Sequence, residues 1–146
     1  MNITLLAVDR LRESYLRDGC ALYIKRLAPL LPVRIVEVRP GSKIEESAAL
    51  LKQIATDATV WALDRSGAEL SSEQMASRLQ AVERSGTNQI ALVIGGAEGL
   101  GESVLSRADF AWSLSPLTFL HEMARLLVLE QLYRAVKINR GEPYHR

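Results

Sequence analysis

The chain has 146 residues, of which 48% are hydrophobic, and this length and composition are typical of one domain with a continuous core. Its 18 basic and 17 acidic residues leave a net charge of +1, so composition alone does not indicate a nucleic-acid partner. The net charge is +3 over residues 1–40, −4 over residues 41–120 and +2 over residues 121–146. A basic surface must therefore come from the two ends of the chain.

Cysteine and histidine usage argues against disulfides and metal sites. Cys20 is the single cysteine and lies on an apolar helical face with Leu16 and Tyr23, so we predict that it belongs to the core. The two histidines and Cys20 do not show metal-ligand spacing. The first eight residues are too short for a secretory signal, and no run of about 18 apolar residues is present. We therefore expect a soluble cytoplasmic protein that has no metal and no membrane partner.

Short apolar runs alternate with longer helical patterns, which predicts an α/β fold with a mainly parallel sheet flanked by helices, as one domain over residues 1–146. The predicted strands are Ile3–Val8, Val33–Val38, Thr59–Leu63, Gln89–Ile94 and Phe110–Leu114. The predicted helices are Glu13–Leu30, Lys43–Thr56, Ser72–Arg84, Glu102–Arg107 and Phe119–Ile138.

Two helix starts carry capping signals. Ser71 or Ser72 precedes an acidic first turn, and Thr118 precedes the last helix, where we expect its hydroxyl to act as an N-cap. Open α/β sheets place their ligands at the carboxyl ends of the strands. The segments that follow Leu63, Ile94 and Leu114 are therefore the first candidates for a binding site.

A glycine-rich segment follows the fourth predicted strand. The run from Gly95 to Gly101 contains four glycines, which permit positive φ and close approach of a ligand to the backbone. No lysine follows in P-loop position, and Val104 stands where a dinucleotide-binding motif has its third glycine. The segment is thus either an ordinary tight turn or a ligand site that belongs to neither of these nucleotide-binding classes.

Two further strand ends are candidates, and the loop after the first of them suits a flat heterocycle. The segment 112–119 is a strand end followed by a loop that contains Pro116, and the segment 61–67 is a buried strand that ends in a polar turn. Such a loop offers unpaired backbone groups between apolar side chains, as adenine requires. Each segment taken alone is also consistent with an ordinary loop.

Taken in order, these segments resemble a known family. The chain contains I-G-G-x-E-G, then S-L-S-x-L-T-F, then H-x-x-x-R-L-L-V-x-E-Q-L-Y-R-A, and ends in Tyr144-His145-Arg146. This order resembles the SPOUT superfamily of methyltransferases and, more closely, the RlmH family, which methylates N3 of a pseudouridine in 23S ribosomal RNA. The resemblance extends over essentially the whole chain.

The resemblance implies a C-terminal trefoil knot, a homodimer and S-adenosyl-L-methionine as cofactor. The implied cofactor contacts are Leu63, Gly95, Leu114, Ser115, Pro116, Leu117, Thr118 and Phe119. It also makes the last helix a main dimer contact, so that each active site uses both subunits. Its apolar residues cover more than one narrow stripe, which requires a partner surface. A core helix buried within a monomer is the alternative.

The polar tail supplies candidate groups for the reaction. Tyr144 can stack on a base, Arg146 can hold a phosphate, and His145 can exchange a proton with a nucleobase, so we assign these three residues to catalysis. The proton acceptor is His145, water or a phosphate oxygen. His121 is a further candidate, with a structural role equally open.

We expect the partner to be 23S rRNA in the ribosome, and we expect its phosphates to contact Arg134, Lys137 and Arg140. The alternative function is a ribosome-associated RNA-binding module that keeps the fold without the chemistry.

Overall fold

A computed structural model describes residues 1–144 and shows an α/β fold. In chain order the elements are β1 (Asn2–Val8), α1 (Ser14–Leu27), β2 (Val33–Val38), α2 (Lys43–Lys52), β3 (Thr59–Glu69), α3 (Ser72–Arg84), β4 (Gln89–Val93), α4 (Glu102–Arg107), β5 (Phe110–Ser113) and α5 (His121–Asn139). The five strands form a parallel sheet in the order β2-β1-β4-β3-β5, which confirms the predicted α/β fold with a mainly parallel sheet.

Successive side chains of the strands point to opposite faces of the sheet, and each face has its own hydrophobic core. Ile3, Leu5 and Trp61 pack with residues of α1, α3 and α5 on one face of the sheet, and Cys20 is buried there as predicted. Leu6 and Val60 face the opposite way and pack with residues of α2 and α4. Both faces of the sheet are thus covered by helices, as expected for parallel strands.

The element boundaries differ from prediction mainly at β3, α1 and α2. β3 continues to Glu69 because its pairing with β5 resumes between Ala68 and Trp112 after a register shift. α1 ends at Leu27 instead of Leu30, because Pro29 has no N–H to donate to a carbonyl of the preceding helical turn. α2 ends at Lys52 instead of Thr56.

Helix capping agrees with prediction at one helix and not at another. Ser71 forms a capping box with Gln74 at the start of α3. The prediction for Thr118 is wrong: α5 begins at His121, its N-cap position is Leu120, and no side chain caps it. The chain from 114 to 120 stays outside the helix, so the Thr118 hydroxyl is too far along the chain to reach the first free N–H groups.

The last helix finds most of its apolar partners within the same chain. α5 packs against α1 and α3, and Leu129 and Leu132 are fully buried there. Met123, Leu126 and Leu127 remain half-exposed. A charged residue at 129 or 132 would therefore disrupt the core, whereas Met123, Leu126 and Leu127 leave apolar surface of α5 available to a second molecule.

No helix within residues 1–144 is long and apolar enough to cross a membrane. The same residues contain no cluster of three or more histidine, cysteine or carboxylate side chains able to hold a metal ion.

One buried cation joins the start of α5 to the sheet. The Arg125 side chain is 1% exposed, and its guanidinium donates to the carbonyl oxygens of Val8, at 2.9 Å, and Asp9, at 2.5 Å. It also forms an ion pair with Glu37 on β2, with an N–O distance of 2.5 Å. Arg125 thereby holds α5 against the carboxyl ends of β1 and β2.

We predict that Arg125→Met lowers the free energy of unfolding by about 3 kcal/mol, because the Val8 and Asp9 carbonyls would lose a charged donor. Arg140→Met is the control at the carboxyl end of the same helix. The Arg140 side chain is 54% exposed and pairs with Glu142, so its loss should cost about 1 kcal/mol or less. Urea denaturation measures both changes. An equal decrease in the free energy of unfolding of the two variants would show that Arg125 does not stabilise the fold more than an exposed arginine does.

Candidate functional site

A cavity of about 280 Å³ lies at the carboxyl edge of the sheet, where β4 and β5 end and β3 shifts register. Of the predicted cofactor contacts, all but Pro116 line it: Leu63, Gly95, Leu114, Ser115, Leu117, Thr118 and Phe119. The three segments selected from the sequence therefore meet in one place.

The glycine segment forms the tight turn on one side of this cavity. Gly99 has φ +81°, and its N–H donates to the Gly96 carbonyl at 3.0 Å. A Cβ at Gly95 would lie 2.5 Å from the Gly99 carbonyl carbon and 2.9 Å from the Leu100 nitrogen. The turn thus requires glycine at position 95 for its own close backbone packing, in addition to any space that a ligand needs.

Helix α2 supports the same turn from behind. The Ser47 hydroxyl accepts a hydrogen bond from the Gly101 N–H at 2.9 Å. The Glu46 side chain is 8% exposed and lies so close to Gly96 that a Cβ there would approach its Oε1 to 2.8 Å. These contacts pack α2 closely against the turn.

The loop between β5 and α5 forms a second wall. The Ser113 hydroxyl donates to the Ser115 carbonyl at 3.2 Å, and the Leu117 N–H donates to the Ser115 hydroxyl at 3.0 Å. The side chains of Leu117 and Phe119 are exposed. The loop therefore offers apolar side chains and backbone polar groups on the same surface.

The third wall contains charged residues that were not among the predicted cofactor contacts. Asp64 and Arg65 line the cavity at the point where β3 shifts register, and Lys43 and Glu98 also line it. His121 is placed there as the first residue of α5. Lys43 lies far along the chain from the selected strand ends, and only the packing of α2 reveals its proximity.

Tyr144 lies elsewhere, at the far end of α5. Its hydroxyl is 3.2 Å from that of Tyr23, and its ring packs against Tyr133 with centroids 4.9 Å apart. Burial, with a contribution from the Tyr23 hydrogen bond, raises the pKa of Tyr144 to about 12. Tyr144 therefore stays protonated at neutral pH, where it can donate a hydrogen bond but cannot act as a base. His145 and Arg146 lie outside the described residues.

The three predicted RNA-binding cations are at the same far end, and each contacts a carboxylate. Arg134 pairs with Glu130, while Lys137 and Arg140 both pair with Glu142, at 2.5 Å in each case. The hydrogen bonds from Lys137 and Arg140 lower the pKa of Glu142, so this carboxylate is ionised at neutral pH.

The two groups of predicted site residues are thus separated by the length of α5. The helix has 19 residues, and a rise of about 1.5 Å per residue gives roughly 28 Å between its ends. The cavity is at its amino end and Tyr144 is at its carboxyl end. Within one chain, the structure does not bring the described tail residue to the cavity.

Comparison with known proteins gives a consistent family. Residues 1–145 match the family described as "Predicted SPOUT methyltransferase". The chain is 45% identical to the "Ribosomal RNA large subunit methyltransferase H" of Pelotomaculum thermopropionicum, covering 99% of this chain and 98% of the relative. It is 41% identical to the protein of the same name from Alkaliphilus oremlandii, with both chains covered completely.

Solved structures support the fold. A probable methylase family protein from Haemophilus influenzae superimposes with a TM-score of 0.61 at 18% identity, covering 99% of this chain and 70% of that chain. A probable methyltransferase from Bordetella pertussis gives a TM-score of 0.61 at 14% identity, covering 92% and 96%. At sequence identities this low, the structural similarity supports the fold and not the function.

Proposed function

Because the chain belongs to the SPOUT methyltransferases, among the ribosomal RNA large subunit methyltransferase H proteins, we propose that it transfers a methyl group from S-adenosyl-L-methionine to large-subunit rRNA. The observation that carries this proposal is the cavity built by the glycine turn and the loop 114–119. The proposed target is N3 of pseudouridine-1915 in 23S rRNA, in the large subunit or the 70S ribosome.

The residues around the cavity fit this cofactor. The loop backbone can hydrogen-bond the edge of adenine, while Leu114 and Leu117 provide apolar contact. Gly95 and its neighbours permit close approach of the ligand to the backbone. The bound cofactor would supply the activated methyl group. This chain would hold it and keep water away from the transfer.

We propose a homodimer in which the two α5 helices run antiparallel. Such an arrangement brings the tail of one subunit to the cavity of the other and overcomes the separation of roughly 28 Å along one helix. The half-exposed Met123, Leu126 and Leu127 and the exposed Leu22 and Leu120 provide apolar surface for this contact.

The proposed fold also includes the C-terminal trefoil knot that characterises the family.

We call the cavity of one subunit together with the tail of the other the composite site. In this site, each tail residue has a separate role. Methyl transfer is an in-line displacement, so the enzyme must align the acceptor nitrogen and let its proton leave. We propose that His145 accepts the proton that leaves the acceptor nitrogen. Water or a phosphate oxygen is the alternative acceptor. The protonated Tyr144 holds the base, and Arg146, together with Arg134, Lys137 and Arg140, contacts phosphates.

Gly95→Val should abolish binding of S-adenosyl-L-methionine, because the new side chain forces the turn at Gly99 and Leu100 to open. Gly86→Val is a matched control. Gly86 has φ +84° and lies before β4 at the opposite edge of the sheet, so its replacement should lower the melting temperature but leave cofactor affinity intact. Calorimetry measures both affinities, and unchanged binding in folded Gly95→Val would place the cofactor elsewhere.

Deletion of residues 144–146 should leave cofactor affinity within about three-fold of the intact protein and remove methyl transfer to ribosomes that lack the modification. Arg146→Ala should mainly weaken ribosome binding, whereas His145→Ala should mainly lower the single-turnover rate. If a histidine takes the proton, the intact enzyme's rate should rise with pH through the histidine titration range and then level off. Full activity of the truncated protein would remove the tail from the active site.

A further inference from the structure

A loop that carries three arginines follows β1 and takes no part in the cofactor cavity. What we call the arginine loop comprises residues 9–13 together with the first turn of α1, up to Arg17, and its cationic side chains Arg10, Arg12 and Arg17 are exposed. The three arginines, with Leu11 and Glu37, line a surface cavity of about 620 Å³. A concave surface of this size with three guanidinium groups is suited to a phosphate-bearing ligand.

Several hydrogen bonds fix the shape of the arginine loop. Asp9 adopts φ 67°, a left-handed conformation that is uncommon outside glycine, and its carbonyl accepts from the buried Arg125. The Asp9 N–H donates to the Val38 carbonyl at 2.8 Å. The Arg17 guanidinium donates to the carbonyls of Leu11, at 3.1 Å, and Arg12, at 2.9 Å. The cations are thus presented on a structured backbone.

The arginine loop lies beside the proposed methyl-donor cavity. The Arg12 N–H donates to Glu122 Oε1 at 2.6 Å, and Glu122 follows His121, which lines the cavity. In the sheet, β1 is next to β4, whose end leads into the glycine turn. The same first turn of α5 therefore contacts both the arginine loop and the cofactor site.

Carboxylates offset part of the positive charge of the arginine loop, since Asp9 and Glu13 lie within residues 9–17 and reduce the formal net charge of this segment to +1. Asp9 pairs with Arg12 at 2.7 Å, but the Arg12 side chain is 65% exposed, so this pair is weak and can exchange for a phosphate. Glu37 is engaged by Arg125, and Glu122 accepts the backbone N–H of Arg12. Within residues 1–144, Arg10 and Arg17 form no ion pair.

We propose that the arginine loop is an rRNA phosphate-binding surface, in which Arg10 and Arg12 hold the backbone next to the base that receives the methyl group. This inference rests on the proposed function and adds a second contact to the predicted tail cations. In the antiparallel dimer, the partner's tail and this loop would approach the same cavity. The RNA backbone would then be held from both subunits.

The test replaces Arg10 and Arg12 with glutamine together, because Arg17 also supports the loop backbone. Arg10→Gln/Arg12→Gln should weaken binding to unmodified ribosomes on the order of ten-fold and reduce the slope of log affinity against log salt by about one to two. KM for ribosomes should rise while kcat and cofactor affinity stay close to wild type. Lys52→Gln/Arg84→Gln removes the same charge from exposed positions at the carboxyl ends of α2 and α3 and serves as control.

The outcomes distinguish this inference from the proposed function. Weaker, less salt-dependent binding in the loop variant alone would support the inference. Equal binding of the loop variant and the control pair, with active wild-type enzyme, would overturn the inference and leave the methyltransferase proposal intact. Wild-type protein that binds no S-adenosyl-L-methionine and methylates no ribosomal particle would overturn both.

Discussion

The buried guanidinium of Arg125 is the interaction on which the arrangement of this molecule depends. By binding the Val8 and Asp9 carbonyls and Glu37, it fixes the first turns of α5 at the carboxyl edge of the sheet. The helix must then run to the opposite edge, because α1 and α3 enclose its apolar side chains along the way. This path places the cavity and the arginine loop at one end of α5 and Tyr144 at the other.

The cavity and Tyr144 lie at opposite ends of α5, and this separation explains why the proposed reaction requires a second copy of the chain. A helix of 19 residues cannot bend its own carboxyl end back to its amino end without losing its backbone hydrogen bonds. In the proposed homodimer, an antiparallel neighbour would bring its own tail to the cavity at no such cost. The half-exposed stripe of Met123, Leu126 and Leu127 then has a function beyond packing within the chain.

The sequence was sufficient for features that depend on local pattern. The five strands, the glycine turn and the loop before α5 follow from apolar periodicity and from glycine and proline positions, and the structure brings these segments together. Features that depend on distant pairing were not predictable. The extension of β3 to Glu69 requires β5, the absence of a Thr118 cap follows from how the loop is held, and Lys43 reaches the cavity only through the packing of α2.

Activity of mixed dimers tests the composite site most directly. One subunit would lack residues 144–146 but keep its cavity, and the other would carry Gly95→Val but keep its tail, with two affinity tags to purify the heterodimer. The account predicts that each parent dimer is inactive and that the heterodimer has about half the activity of wild type, because one of its two sites is complete. An inactive but folded heterodimer, or an active truncated parent, would contradict a site shared between two subunits.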